Sequence, residues 1–337
     1  MTNRAGFIHY LRLDGKGSAR EIEGNFERAW NDKNGIVWFH LDFSEETTKD
    51  WLIEQSGLSK LTVEMLTSDD TRPRVTAAGG GLLICLRAIN CNPGSDADDM
   101  VSLRLWISEN RILSMRRRRV EAINDIRESL KNTAGPVNSA DFLVYLCSSI
   151  TGRISGVVSD IDEALDSLED SMLEKERPAL RTEILTYRRM IIGLRKYIVP
   201  QKEVLAQLQL ERMPWLSDMG KLQLRENAER VARCLDDLDA ARDHAAMTQE
   251  ELNARLSEQM NQTIFMMSIV ATIFLPLGLI TGLLGINVGG IPGTESPWAF
   301  IIVCVLMLVI AIGLYLIFKK KQIFVSRQTD DGGKRKK

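Results

Sequence analysis

Histidine and closely spaced cysteine are scarce in this sequence. The three histidines, His9, His40 and His244, are scattered along the chain, and the five cysteines, Cys85, Cys91, Cys147, Cys234 and Cys304, form no CxxC pair. A zinc-finger type of site, which needs ligands at tight spacing, is therefore not expected. The thiols are read as unpaired in a reducing compartment. Also missing are a GxSxG elbow, a P-loop, an HExxH pair and a GxGxxG turn after a strand. Without them an enzyme is not the reading. Met1–Arg20 holds no apolar run after its basic residues, so no signal peptide is expected and the N-terminal part is assigned to the cytosol.

The most informative shortage is of charge in one place. The whole chain looks soluble, with 26% charged residues, a net charge of -2 and a mean hydropathy of -0.10. Yet from Leu256 to Phe318 only Glu258 and Glu295 are charged. Ile264–Leu284 and Trp298–Phe318 contain no Asp, Glu, Lys, Arg or His. At ~1.5 Å per residue each segment spans the ~30 Å hydrocarbon layer as a helix. A helix satisfies its own backbone there, which an open strand cannot do.

Basic residues set the expected orientation. Lys319, Lys320, Lys321 and Arg327 follow the second span, KRKK closes the chain, and Arg255 precedes the first span. The linker Gly285–Pro297 has no Lys or Arg. Both termini are therefore expected in the cytosol, with the linker outside and Trp298 as an interfacial anchor.

The remaining sequence divides in two. Ile36–Phe43, Gly81–Ile89, Met100–Ile107 and Arg111–Arg116 are short β-rich runs bounded by turn residues, the last two forming a hairpin about Glu109-Asn110. Asp50–Leu66 and Val120–Leu130 carry helical patterning. From about Ser139 the apolar period becomes helical, with Phe142, Leu146, Ile150, Ile154 and Ile161 on one stripe. A second stripe runs from Leu180 to Ile198, with Pro200 expected to kink or break it. A third begins near Trp215 and runs unbroken into the first span, predicting one very long helix. Arg242 and Gln249 fall on its apolar stripe, which suits a wet bundle axis. Asp160–Glu176 holds eight acids and one Lys and is read as a solvated helix face. The run Arg116–Arg119 is read as surface salt bridging or anion and lipid contact; nucleic acid is not an expected partner.

The first span ends in ATIFLPLGLITGLLGIN, followed by a short linker, a second span and a basic tail. This combination resembles the CorA superfamily of two-transmembrane-helix GxN metal ion transporters. Ile286 replaces the usual Met of the tripeptide, and GINVGGIPG with DTRPRV at Asp70–Val75 looks like the ZntB-type zinc transporter branch. The resemblance implies an α+β cytoplasmic domain, an αβα sandwich assembled as a funnel, with a long stalk helix and two C-terminal transmembrane helices. It implies a homopentamer in a lipid bilayer, and Gly285, Ile286 and Asn287 at the pore mouth with Asn287 holding a hydrated cation. Glu295 would add an outer acidic ring that concentrates cations. The implied pore lining is Ile264, Met267, Ala271, Leu275, Gly278 and Gly282.

The expected division is an α/β domain over 1–135, a helical region over 136–263, transmembrane helices over 264–284 and 298–318, a periplasmic loop over 285–297 and a basic cytoplasmic tail over 319–337. The function expected is transport of divalent cations through the inner membrane, Zn2+ uptake coupled to protons first, with no cofactor beyond the transported ion. A Mg2+ or Co2+ channel is the near alternative, and a membrane-anchored scaffold or sensor is the alternative of another class. Neither span carries a carboxylate or histidine to relay protons.

Overall fold

The computed structural model describes residues 6–23, 26–32, 35–69, 72–174, 179–211, 213–286 and 296–333, without side chains at 172–174, 319 and 321–333. The chain forms two units, Met1–Gln249 and Glu250–Lys337.

The first unit is built on a seven-stranded mixed sheet. Its strands are β1 (Phe7–Leu13), β2 (Ala19–Glu21), β3 (Ile36–Asp42), β4 (Arg74–Ala78), β5 (Gly81–Ala88), β6 (Val101–Ile107) and β7 (Arg111–Arg116), in spatial order β2-β1-β3-β7-β6-β5-β4. Only β3 and β7 are parallel; the other neighbours are antiparallel. β3 shows why the sheet is covered on both faces. Strand side chains alternate, yet Val37, Trp38, Phe39, His40 and Leu41 are all buried. Phe39 packs with Trp30 of α1 (Phe26–Asn31) and Trp51 of α2 (Glu46–Glu54), at ring separations of 5.1 and 5.6 Å. Trp38, its neighbour in sequence, meets Phe142 of α5 (Ser139–Glu174) at 4.9 Å. The unit is thus an αβα sandwich. The remaining layer helices are α3 (Lys60–Thr67) and α4 (Glu121–Lys131), the latter packed beside α5.

Local chemistry accounts for the breaks between elements. Asp50–Leu66, expected as one helix, is two, α2 and α3. Gly57 takes φ +67° between them, and Ser59 caps α3 by accepting from the Thr62 N–H at 3.2 Å. The β4–β5 hairpin turns on Gly79 and Gly80 with φ of +61° and +75°, the backbone of a two-residue primed turn.

Two long helices complete the set in this unit, α6 (Leu180–Leu210) and the first part of α7 (Asp218–Leu284). α6 runs through Pro200 without the expected break. One missing backbone bond in a 31-residue helix is offset by burial of Ile191, Leu194, Ile198 and Val204 around it. α7 starts three residues later than Trp215, where Ser217 Oγ accepts from the Gly220 N–H at 3.1 Å.

The second unit holds the rest of α7 and α8 (Ala299–Gly333).

Candidate functional site

In the second unit, α7 sorts its residues by exposure. Phe265, Ile269, Ile273, Pro276, Leu277 and Ile280 are half-buried, and Phe265 meets the ring of Phe318 on α8 at 6.4 Å. At about 100° per residue, Ile264, Met267, Ala271, Leu275, Gly278 and Gly282 fall on the opposite side of the helix. All six of these sequence-predicted lining residues are exposed, Leu275 at 79%. Five of the six share an exposed side of α7, while Gly278 also lines a groove with Cys304, Met307, Leu308 and Ala311 of α8.

The polar side chains of this helical segment are self-contained. Ser268 Oγ donates to the Ile264 carbonyl at 2.8 Å, Thr272 to Ser268 at 2.7 Å, and Thr281 to Leu277 at 2.9 Å. This i−4 back-bonding uses each hydroxyl proton inside its own helix. At the end of α7 the Gly285 N–H is shared between the carbonyls of Thr281 (2.9 Å) and Gly282 (3.2 Å). A Cβ on Gly285 would stand 3.0 Å from the Thr281 oxygen, so glycine fits this tight exit best. Ile286 is exposed just beyond. Asn287 and Glu295, the two linker residues singled out in the sequence, lie outside the described residues.

The titratable side chains of the first unit behave differently from their sequence appearance. His9 and His40 face each other across the β1–β3 register, with ring centroids 5.8 Å apart. His40 Nδ1 lies 2.8 Å from Ser114 Oγ, which also accepts from Trp38 Nε1 at 2.8 Å. His40 Nε2 is buried without a partner among the described residues. Burial, helped by Arg116 and His9, holds His40 well below the usual imidazole range. Burial and then Arg127 and Arg116 bring His9 down to about 4. Both rings are thus neutral at pH 7. His244 lies on α7, with Nε2 2.6 Å from Glu169 and Nδ1 3.8 Å from Asp166 of α5. The carboxylates sit on opposite ring nitrogens, so they clamp the imidazole rather than converge on one ion. Among the described residues no group of three or more His, Cys, Asp or Glu converges to hold a metal.

The arginine run resolves into separate contacts. Arg117 pairs with Asp69, Arg118 with Asp99 and Arg119 with Glu121. The described acids of the α5 run, Asp160 through Asp170, are exposed, as expected. Sequence reasoning missed β1, β2, β4 and α1, and with them the His9–His40 pair. The Gly79-Gly80 turn between two β-prone runs is the signal that could have placed β4.

Among the described residues, length and composition qualify three helices to cross a membrane: Ser139–Ser171 of α5, α7, and Ala299–Phe318 of α8. Half of α5's apolar stretch is buried within the αβα unit, whereas none of the other two is buried. An αβα unit joined by a 67-residue helix to a terminal apolar helical pair defines a class: two-span membrane proteins with a large soluble domain.

The chain belongs to the CorA family. The family model described as CorA-like Mg2+ transporter protein matches residues 33–320. The chain is 37% identical to the zinc transport protein ZntB of Pectobacterium carotovorum subsp. carotovorum, over 92% of this chain and 93% of that protein. It is 33% identical to the divalent cation transporter CmaX of Pseudomonas aeruginosa, over 94% of this chain and 96% of that protein. The solved full-length CmaX structure superposes with a TM-score of 0.82, covering 94% of this chain and 98% of that one. The CorA magnesium transporter of Methanocaldococcus jannaschii, at 19% identity and a TM-score of 0.79 over 93% of this chain and 98% of that one, shares the fold.

Proposed function

We propose that this protein transports divalent metal cations across a membrane, with Zn2+ as its cargo, through a pore lined by the exposed face of α7 in a homopentamer. One observation carries the reading: an exposed stripe of small and apolar residues from Ile264 to Gly282 leads along the sequence to the Gly285-Ile286-Asn287 tripeptide. Such a stripe is unpartnered in one chain and becomes a lining when five copies surround an axis. The 37% identity to a zinc transport protein supports the choice of ion.

The chemistry fits passage rather than storage. Five Asn287 side chains at the mouth would offer neutral amide oxygens, hard donors that hold a hydrated divalent ion through its water shell. A ring of carboxylates would bind more tightly and release more slowly, whereas conduction needs both entry and exit. Glu295, the sole charge of the linker, would raise the local cation concentration outside. The proposed location is the inner membrane with both termini in the cytosol, following the basic residues around the spans. Soluble domains 1–135 and 136–263 would form the cytoplasmic funnel. Uptake coupled to protons is part of the proposal. Since neither span has a titratable relay, the coupling would reside at the pore ends or in the soluble unit. A Mg2+ channel is the second reading, favoured by the description of the family model.

The test is ion uptake into proteoliposomes containing the purified protein. Zn2+ flux should exceed Mg2+ flux, rise with an inward proton gradient and fall at least about tenfold in Asn287→Ala, as expected when an ion-orienting ring is removed. Gradient-independent Mg2+ flux would move the protein to the second reading. Flux of neither ion would leave a membrane-anchored scaffold or sensor as the function.

A further inference from the structure

The αβα unit contains a cleft that the transport reading does not use. Its volume is about 230 Å3, and its lining includes Phe43, Arg87, Asp99, Ser102, Arg104 and Arg117, with Arg118 at the same wall. It lies where β5, β6 and β7 end or begin together: Ser102 faces Arg87 in the β5–β6 register, and Arg117 follows the last residue of β7. The lining brings four guanidinium groups together with one carboxylate, Asp99.

Neutral groups hold Arg104, the innermost member of this cluster, in place. Arg104 is 2% exposed and donates from its two terminal nitrogens to the carbonyls of Leu66 and Ser68 at the end of α3. Its guanidinium also lies 4.0 Å from the centre of the Phe43 ring. Arg117 stacks on the same ring at 4.8 Å. Arg87 donates to the Met100 carbonyl and stacks on Tyr197 of α6 at 4.2 Å. Around Arg104 the carbonyls and the ring orient the guanidinium but carry no net charge. At the outer wall Arg117 pairs with Asp69 and Arg118 with Asp99. Asp69 is 87% exposed and Asp99 59% exposed, and exposed pairs of this kind contribute little and exchange readily. Burial, and with it the repulsion from Arg117 and Arg74, lowers the pKa of Arg104, although arginine stays charged.

We infer that this cleft is a binding site for a phosphate-class oxyanion, a phosphate or diphosphate group either free or carried on a larger molecule. A planar guanidinium pairs two-point with carboxylate or phosphate alike, but a phosphate has more oxygens and more charge than the lone carboxylate of the lining and can engage several of the four guanidiniums at once. Ser102 supplies a hydroxyl donor between Arg87 and Arg117. The volume admits one or two phosphate groups and excludes a folded chain or a duplex. Anion binding here does not depend on the α7 stripe.

Arg117 and Arg118 are 54% and 60% exposed, so an Arg117→Gln, Arg118→Gln double variant keeps the fold, which a thermal-unfolding midpoint checks. Arg119→Gln is the control, because Arg119 pairs with Glu121 and is not part of the lining. Inorganic pyrophosphate is titrated into the full chain in maltoside detergent and followed by calorimetry. Phosphatidic acid and phosphatidylcholine are added in parallel and followed by native mass spectrometry. A saturable pyrophosphate signal, weakened about tenfold or more in the double variant and unchanged in the control, supports a site for a free oxyanion. Adducts with phosphatidic acid alone, lost in the double variant and without a pyrophosphate signal, support a headgroup as the source. Absence of both signals, or signals indifferent to the double variant, overturns the inference.

Discussion

α5 and α8 are both long enough and apolar enough to cross a membrane, yet they belong to different solvents. α5 places Phe142, Leu143, Leu146, Ile150 and Ile154 at 2% exposure or less against the sheet and its neighbours, and turns Asp160, Asp162, Glu163 and Asp166 outward. α8 is apolar on every side instead: Val303, Met307, Ile310 and Phe318 are half-buried, while Phe300, Ile302, Val305, Leu308 and Val309 are all more than half exposed. Apolar content alone therefore does not choose between a core and a bilayer. A helix whose apolar residues fill one stripe is covered by protein, and one that is apolar all round needs lipid or other copies.

The contrast can be broken most severely inside the soluble unit. Phe142→Ala removes the ring packed on Trp38 at 0% exposure and should cost about 3–5 kcal/mol of stability. Chemical unfolding of the full chain, followed by tryptophan fluorescence, measures it; a loss under about 1 kcal/mol would mean that α5 is not anchored by this contact. Next in size is a charge in α8. Val309→Arg, at the middle of the apolar run, should cost about 2.5–3.5 kcal/mol of insertion free energy and move protein out of the carbonate-resistant membrane fraction. The same measurement on Asp162→Arg, on the exposed face of α5, should show no change. An unchanged membrane fraction for Val309→Arg would assign α8 to a protein environment instead.

The smallest effect is acid sensitivity confined to the soluble unit. The folded His9 and His40 have pKa values below the imidazole value of 6.5. As pH falls below about 6.5 the unfolded chain takes up these protons first, so stability is lost progressively toward pH 4. For half-buried His9, solvent screening leaves about 1 kcal/mol. His9→Gln should flatten the dependence of the unfolding midpoint between pH 7 and 5, while detergent-resistant association of the apolar helices stays constant. An unaltered slope in His9→Gln would remove His9 as a contributor.

What the sequence revealed follows from how strongly each pattern is repeated. The central strands at 36–42, 81–88, 101–107 and 111–116 were legible because both faces are buried and the runs are nearly continuous in apolar residues. β1 was hidden by His9, Tyr10 and Arg12, which sit half-buried near the sheet's edge and interrupt the alternation. The long α7 was legible through its unbroken stripe. The stripe from Ile264 to Gly282 came from family resemblance, and the structure adds that all six residues are exposed. The His9–His40 pair and the arginine cleft depend on strand register, which brings residues together across 31 positions of sequence in one case and 74 between Phe43 and Arg117 in the other. No local period carries such information.

The hydroxyls of Ser268, Thr272 and Thr281 spend their protons on carbonyls of their own helix and lie off the proposed lining. The proposed lining, Ile264, Met267, Ala271, Leu275, Gly278 and Gly282, contains no side-chain oxygen at all, which in the proposed assembly makes the interior of the span a mute wall with nothing to question a passing ion. Zn2+ and Mg2+ would travel there as equally well-dressed hydrates, and the choice between them would be made at the threshold, before the wall begins. An acid introduced at Ala271 would give that wall a voice, turning a corridor into a trap.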